Sequence, residues 1–279
     1  VLFLLGLLVL PLAARTISTP QVSEDFALLL LATLGMGFMI TSRNLLGAFV
    51  ALELVSLSLY ALTALNPVRK ESAEAALKYF TYGGVASAFL LFGISYLFGR
   101  LGELDITQAA FTQATLAEAP RLVMVAYLFI LVGLGFKLAL APFHLWAPDV
   151  YQAAPTPAAA WIASGSKIAG VALLLALLGP VSLPSAHSTI VPLLLLMAVA
   201  SMAVGNLGAL RQANVKRLLA YSAIANAGYI LVAVVAFTDA GRAAAMFYAI
   251  VYAIATLGAF AVVSVWNDRL GREALIDDF

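Results

Sequence analysis

Four charged residues interrupt apolar segments that are long enough to cross a membrane: Glu53, Lys78, Lys137 and Lys167. A charge at the centre of a membrane helix costs about 2.5–3.5 kcal/mol on insertion scales, and such residues usually have a function. Carboxylate and ammonium groups take up and release protons. The four positions therefore indicate proton transfer as their chemistry.

Glu53 shares one face of a predicted helix with two hydroxyl groups. In LELVSLSLY, Ser56 follows it at i+3 and Tyr60 at i+7, so carboxylate, hydroxyl and phenol lie on one stripe. One interpretation is a structural ion pair that fixes helix packing. The other is a carboxylate that favours the charged form of a neighbouring lysine.

Lys137 stands close to a predicted break in its helix, in GFKLALAPFHLW. Pro142 has no N–H to donate and its ring clashes with the carbonyl of Leu138, so the helix should break or kink there. A broken helix within a membrane survives only inside protein or along a hydrated cavity. Burial disfavours a charged lysine and a nearby carboxylate favours it, so Lys137 could exchange protons. The alternative is a lysine that snorkels to the interface.

Lys167 lies among small residues in ASGSKIAG. Small residues let membrane helices approach closely, and they leave room for water. Packing explains the glycines but not the lysine. The pattern therefore favours a role for Lys167 as a proton relay.

Other candidates have two interpretations each. Lys78 follows Glu74 at i+4, which suits an interfacial ion pair as well as a relay. His144 could relay protons, since its imidazole titrates near neutrality, or could bond to backbone at the break. Asp149 and Tyr151 lie in a proline-rich connection and are interpreted as structural.

The composition restricts the class of protein. Of the 279 residues, 63% are hydrophobic and 10% are charged, whereas soluble domains carry about 25% charged residues. The absence of cysteine excludes iron–sulfur clusters, thiolate metal sites and cysteine nucleophiles in this chain. The two histidines, His144 and His187, are too few for a pair of bis-histidine haems. A net charge of +1 without a basic tract gives no sign of nucleic-acid binding.

Nine apolar runs are candidates for membrane helices, given that a bilayer core of about 30 Å needs about 20 residues. No alternating β-barrel pattern appears, so we predict an all-α polytopic membrane protein. The runs are 1–14, 26–42, 44–65, 74–99, 121–142, 157–179, 189–210, 216–237 and 241–266.

Basic residues in alternate loops predict the orientation, because cytoplasmic loops are enriched in lysine and arginine. Eight basic residues fall on one side and four on the other, which favours the first side as cytoplasmic. The first set is Arg15, Arg69, Lys70, Arg211, Lys216, Arg217, Arg269 and Arg272, and the second is Arg43, Arg100, Arg121 and Arg242.

A faint internal repeat is a further hypothesis. The segment LKYFTYGGVASA (77–88) aligns with KRLLAYSAIANA (216–227), which matches Tyr82 with Tyr221. Many transporters consist of two inverted halves with weak symmetry of this kind.

Five segments together resemble the antiporter-like, proton-pumping membrane subunits of respiratory complex I, the proton-translocating NADH:quinone oxidoreductase. The resemblance covers residues from about 26 to the end, and LELVSLSLYAL favours the subunit N type. The segments are LELVSLSLYAL, LKYFTYGGVASAFLLFG, GFKLALAPFHLWAPDVYQAAPTP, SGSKIAG and NVKRLLAYSAIANAGYILVA.

The resemblance implies two inverted five-helix repeats, each with a discontinuous helix. We expect an N-terminal helix and loop at 1–25, a first repeat at 26–180 and the start of a truncated second repeat at 181–279. Glu53, Lys137 and Lys167 would match the family's proton-transferring glutamate and lysines, and Tyr221 a possible relay. No position matches the family's lysine on the second broken helix, and Asn226 stands where relatives often have histidine. We therefore expect a piece of a longer subunit.

The resemblance also implies partners and cofactors. The chain itself would be a non-redox translocase subunit without a cofactor or metal, and flavin, iron–sulfur clusters and quinone would belong to other subunits. Its partners would be the lipid bilayer and other complex I membrane subunits, especially neighbouring antiporter-like ones, in a bacterial inner or equivalent energy-converting membrane. Two alternatives stay open: a subunit of a multisubunit cation/proton antiporter, and a structural membrane spacer.

Overall fold

A computed structural model describes residues 1–16, 22–65, 70–106, 120–178 and 184–279. Within these ranges the chain is almost entirely helical, and a short 3-10 helix follows the last α-helix at Ile276–Asp278. The α-helices are α1 (Leu2–Thr16), α2 (Val22–Thr41), α3 (Leu45–Ala64), α4 (Lys70–Leu101), α5 (Pro120–Leu138), α6 (Ala147–Ala153), α7 (Thr156–Ala163), α8 (Gly165–Leu178), α9 (Pro184–Ala209), α10 (Val215–Val235) and α11 (Asp239–Leu270).

Eight helical segments in the described ranges are long and apolar enough to cross a membrane. They correspond to eight of the nine predicted runs, and α7 and α8 together make one of them, Thr156–Leu178. The ninth run forms the shorter apolar helix Leu2–Ala14. The predicted all-α polytopic architecture is confirmed, whereas the predicted connection at 100–120 lies mostly outside the described residues.

Two boundaries differ from the prediction in an informative way. The run 121–142 ends as a helix at Leu138, because the chain leaves helical geometry before it reaches Pro142. The helix that contains the predicted run 189–210 begins earlier, at Pro184, so that His187 lies within α9.

The same hydrogen-bond pattern occurs at two places in the chain. Asn44 caps α3, and the backbone there pairs with the segment after α4, through Leu45 N–H to Leu104 O at 2.8 Å and Ile106 N–H to Arg43 O at 2.7 Å. An asparagine side chain suits this position because it accepts hydrogen bonds from the first free N–H groups of the helix.

Asn214 caps α10 in the same way, and its neighbours pair with the segment after α11. Val215 N–H donates to Ala274 O at 3.3 Å, and Ile276 N–H donates to Ala213 O at 2.9 Å. The units α2–α4 and α9–α11 are therefore related. The predicted alignment of 77–88 with 216–227 is wrong, because it pairs α4 with α10 instead of α3 with α10.

The two units run in opposite directions. Asn44 lies beside the end of α4, whereas Arg217 at the start of α10 contacts Asp149, which also binds Lys78 near the start of α4. Since α4 spans the membrane, α3 and α10 begin at opposite ends of the molecule. This is the inverted arrangement that the fold prediction required.

The core is centred on α7 and α8. In the span Thr156–Leu178, 89% of the most apolar 18-residue stretch is buried inside the protein, whereas the corresponding stretches of the other spans are less buried. Helices α1, α2 and α11 pack around α8, and α5 packs against it from the side of the break. Lys167 is therefore enclosed by protein on all sides.

Candidate functional site

The break between α5 and α6 frees backbone groups that a continuous helix would pair with one another. Leu138 is the last residue of α5, and Pro142 has no N–H to offer its carbonyl. The carbonyl of Leu138 accepts a hydrogen bond from the Nζ of Lys167 on α8. A lysine from the next span thus replaces the hydrogen bond that the proline removes.

Two further backbone groups at the break are bound by side chains. Ala141 N–H donates to Ser201 Oγ on α9 at 2.8 Å, and the indole Nε1 of Trp146 donates to Phe136 O at 3.1 Å. Ala139 takes a left-handed conformation, with φ of 54°. Buried backbone groups need such partners, so these contacts define the shape of the break.

Lys137 is buried, with 3% of its surface exposed. Its Nζ donates a hydrogen bond to Ser56 Oγ on α3 at 3.3 Å. The snorkelling alternative is wrong, because the ammonium points to buried Ser56 and not to an interface. Lys137 lies next to Leu138 in the chain, so Lys167 binds the backbone directly after Lys137.

Glu53 lies one turn before Ser56 on α3, as the helical stripe predicted. Its carboxylate accepts a hydrogen bond from the hydroxyl of Ser87 on α4, and its charge acts on Lys137. Glu53 and Ser56, the hydrogen-bond partner of Lys137, thus lie one turn apart on the same face of α3. Ser87 was missed in the sequence, because a lone serine in an apolar helix more often bonds to its own backbone.

Lys167 is as deeply buried as Lys137, with 2% of its surface exposed. The predicted close approach of small residues is confirmed at Gly170, where a Cβ atom would lie 2.8 Å from Leu138 Cδ2 and 3.7 Å from Lys137 Cγ. A larger residue at position 170 would displace the end of α5. The glycine therefore keeps the two lysine-bearing segments in contact.

Lys78 lies away from the break, in a charged cluster at one end of the bundle. Its Nζ is 2.8 Å from Glu74 Oε1 and 2.9 Å from Asp149 Oδ2. The predicted ion pair with Glu74 is confirmed, and a role as relay stays a prediction. Asp149 was interpreted as structural, and it binds a second cation, Arg217 NH1, at 2.7 Å. Arg217 entered the sequence analysis only through the orientation rule.

His144 and Tyr151 carry buried polar atoms near the break. The Nδ1 of His144 and the hydroxyl of Tyr151 have no hydrogen-bond partner among the described residues. The carbonyl of His144, not its ring, makes the local backbone hydrogen bond, to Ala147 N–H at 2.9 Å. Among the described residues the imidazole makes no hydrogen bond to backbone, contrary to one of the two interpretations.

Tyr221, which the resemblance made a possible relay, and Asn226, which stands where relatives often have histidine, both lie on α10. The ring of Tyr221 packs against Gly208 on α9. The Oδ1 of Asn226 accepts a hydrogen bond from Tyr248 on α11 at 2.6 Å, and its Nδ2 donates to Ser222 O at 2.9 Å. The side chain of Asn226 therefore lies between α10 and α11.

An aromatic row closes the site on the side of α4. The rings of Tyr60 and Tyr79 lie 4.5 Å apart edge to face, and Tyr79 stacks on Trp146 at 4.3 Å. Because aromatic pairs at these distances stabilise one another, the row fixes α3, α4 and the break segment together.

Within the described ranges, eight segments able to span a membrane, two inverted three-helix units and two buried lysines at a broken helix define an antiporter-like membrane protein. The family model described as NADH:quinone oxidoreductase/Mrp antiporter, transmembrane, matches residues 42–278. The chain belongs to this family.

Curated relatives cover most of this chain. It is 46% identical over 256 residues to NADH-quinone oxidoreductase subunit N 2 of Acidobacterium capsulatum, covering 88% of this chain and 51% of the relative. It is 46% identical over 255 residues to NADH-quinone oxidoreductase subunit N of Halorhodospira halophila, covering 90% of this chain and 51% of the relative. The chain thus spans about half the length of the curated relatives it matches. The spans and the bacterial relatives make it an integral multi-pass protein of a bacterial inner membrane.

Solved structures show the same fold. A chain of respiratory complex I from Thermus thermophilus with bound aureothin matches with a TM-score of 0.78 and 41% identity, over 94% of this chain and 56% of that one. A chain of the membrane-bound sulfane sulfur reductase, an archaeal respiratory membrane complex, matches with a TM-score of 0.86 and 30% identity, over 98% of this chain and 57% of that one. The Mrp complex of Dietzia sp. matches at 23% identity, with a TM-score of 0.81 over 91% of this chain and 27% of that one, and shows the fold alone.

Proposed function

We propose that this chain belongs to a proton-translocating membrane subunit of NADH:quinone oxidoreductase, of the subunit N type. Protons would pass between Glu53, Lys137, Lys167 and water, driven by quinone reduction in other subunits. The observation that carries the proposal is that two buried lysines lie at one helix break. Lys167 binds the carbonyl of Leu138, the residue that follows Lys137.

The arrangement suits reversible proton binding. A buried ammonium is disfavoured by the loss of hydration, and a carboxylate or a hydroxyl nearby favours it. Lys137 has a hydroxyl partner in Ser56 and a carboxylate one turn away in Glu53. Lys167 has a carbonyl oxygen, which accepts hydrogen bonds but carries no charge. The two amines therefore have different partners: a hydroxyl near a carboxylate for Lys137, and a backbone carbonyl for Lys167.

Three further groups are proposed as relays, and none of them hydrogen-bonds to Lys137 or Lys167 within the described part of the chain. They are His144 in the break, Lys78 in the charged cluster and Tyr221 on α10. For the assembled enzyme we propose that this chain holds no cofactor, and that flavin, iron–sulfur clusters and quinone belong to other subunits. Its proposed partners are neighbouring antiporter-like subunits and the lipid bilayer.

The test is Lys137→Ala in the intact complex in membrane vesicles. We expect assembly to persist while NADH-driven proton uptake and quinone reductase turnover both fall, because the amine at the break is lost. The matched control is Lys70→Ala, which removes an exposed lysine at the start of α4 and should change neither activity.

Two results would contradict the proposal. If turnover and protons per electron both persist in Lys137→Ala, the lysine is structural and the spacer hypothesis gains support. If vesicles show sodium-dependent proton exchange without NADH, the chain acts as a cation/proton antiporter instead.

A further inference from the structure

Asp149 lies on α6, the short helix that follows the break, and its carboxylate binds cations from two different helices. Oδ1 accepts a hydrogen bond from Arg217 NH1 on α10 at 2.7 Å, and Oδ2 accepts one from Lys78 Nζ on α4 at 2.9 Å. The carboxylate is 31% exposed and the guanidinium 30% exposed, so water screens the pairs in part. We name these three side chains the Asp149 network.

The first turn of α10 holds α6 at two more points. Arg217 NH1 also donates to Gln152 Oε1 at 3.3 Å, and Lys216 Nζ donates to Ala154 O, at the C-terminal end of α6, at 2.8 Å. Lys216 is buried and lies 3.8 Å from Glu273, beyond α11. Lys216 and Arg217, two consecutive cations of the second unit, therefore bind α6 from Asp149 to its C-terminal end.

The other end of α6 is tied to the helix that carries Lys137. Trp146 precedes α6, donates from Nε1 to Phe136 O and stacks on Tyr79, the neighbour of Lys78 in the chain. A displacement of α6 at Asp149 would therefore move Trp146. That movement would disturb the carbonyl of Phe136, which is directly before Lys137.

The network adjoins a cavity of about 170 Å³, which lies at the end of the bundle. Its lining includes the carboxylates of Glu71 and Glu74, and Glu74 also pairs with Lys78. Water in this cavity would hydrate the charged groups whenever the pairs separate, so separation is not prohibitively costly. Partly exposed ion pairs of this kind contribute little to stability, so they are broken at small cost.

We propose that the Asp149 network sets the position of the break segment, residues 139–146, against Lys137. Asp149 and Arg217 are then positioning residues for proton transfer, and they connect the start of the second unit to the break in the first. This inference rests on the proposed function of Lys137. A shift of α10 would be transmitted to α6 through the contacts of Lys216 and Arg217, and from α6 to the break segment.

The experiment compares Asp149→Asn with Asp149→Glu in the whole complex. The readouts are assembly level, protons per electron, and hydrogen exchange of the amides at 139–146. In Asp149→Asn we expect roughly two- to thirtyfold faster exchange, the range that two partly exposed ion pairs support, and a proton-to-electron ratio that falls toward that of Lys137→Ala. Asp149→Glu keeps the charge and should keep both values near those of the unaltered complex.

The matched control is Arg211→Gln, which removes an exposed arginine close to the start of α10 and should change nothing. The inference is overturned if Asp149→Asn behaves like this control. It is also overturned if only one of the two readouts changes: a lower ratio with unchanged exchange makes Asp149 a proton carrier, and faster exchange with an unchanged ratio removes any role in pumping.

A second variant covers the case in which Asp149→Asn does not assemble. Arg217→Gln leaves the contact between Lys78 and Asp149 in place and should show the same two changes in weaker form. If neither variant assembles, the network serves folding alone and the inference fails. Unchanged pumping in Lys137→Ala would refute the proposed function, and the exchange rates would still show whether the network holds the break.

Discussion

Ser201 is predicted to stabilise the helix break through one hydrogen bond. Its hydroxyl is fully buried, accepts from Ala141 N–H at 2.8 Å and donates to Met197 O at 2.6 Å. In Ser201→Ala the N–H of Ala141 loses its acceptor in a place without solvent. A buried donor left without a partner costs about 1–3 kcal/mol, whereas Met197 O keeps the backbone partner that α9 provides.

The assay is hydrogen exchange of the purified complex, resolved to single amides by mass spectrometry. Because about 1.4 kcal/mol corresponds to a tenfold change in an equilibrium, the amide of Ala141 should exchange roughly five- to 150-fold faster in Ser201→Ala. The change should be confined to the break segment, since the contact is local.

The matched control is Ser58→Ala. Ser58 is also buried and also donates to a carbonyl four residues earlier, Leu54 O at 2.7 Å, but no backbone N–H from another segment donates to it among the described residues. If the amide of Ala141 exchanges equally fast in both variants, the hydrogen bond to Ser201 does not hold the break, and the reasoning is refuted.

Three further predictions concern other parts of the fold. Lys167→Met leaves the carbonyl of Leu138 without its partner, which should cost about 1–3 kcal/mol of folding free energy. The thermal midpoint of the subunit should therefore fall, measured by the loss of intact complex on heating. Gly205→Ala should also lower it, because a Cβ atom there would lie 2.5 Å from backbone of α10, whereas Gly84→Ala meets nothing within 4 Å and should be neutral. A hydrogen bond from Arg272 lowers the pKa of Asp278, so this carboxylate stabilises the segment after α11 above the ordinary aspartate pKa and loses that effect as pH falls through its lowered value. In Arg272→Gln the pKa of Asp278, followed by NMR titration of the carboxyl carbon, should return toward the ordinary value; an unchanged titration would contradict the assignment.

The helix break could be predicted from the sequence because it depends only on the covalent structure of proline. A proline cannot donate a backbone hydrogen bond, whatever the fold around it, so the carbonyl of Leu138 had to find another partner. The sequence could not identify that partner. Lys167 is distant from Leu138 in the chain, and only the packing of α8 against α5 brings its amine to the carbonyl.

The missed residues are hydroxyl groups and ion-pair partners whose roles depend on a neighbouring helix. Ser87 and Ser201 are single serines in apolar runs, and a serine in a helix commonly bonds to its own backbone. Asp149 looked structural because it follows a proline-rich turn. Its two cationic partners come from α4 and α10, which the one-dimensional pattern does not place side by side.

The internal repeat shows how similar letters can mislead. The alignment of 77–88 with 216–227 rested on small and aromatic residues, which are abundant in any membrane helix and so match by chance. The structural correspondence depends on caps and turns: Asn44 with Asn214, and Gly102 with Gly271, both glycines having positive φ. Each of these caps and turns depends on a single residue. Their correspondence is recognised only from the backbone hydrogen bonds of the folded chain.

By itself the sequence determined that this chain spans a membrane many times, that it breaks a helix beside Lys137, and that few charges are buried. These properties follow from hydrophobic length, from the missing N–H of proline and from the cost of moving charge out of water. Tertiary structure decided which buried charge meets which partner. Hydrogen bonds act over about 3 Å, so the pairing of Lys167 with Leu138, or of Asp149 with Arg217, depends on how helices far apart in the chain pack together.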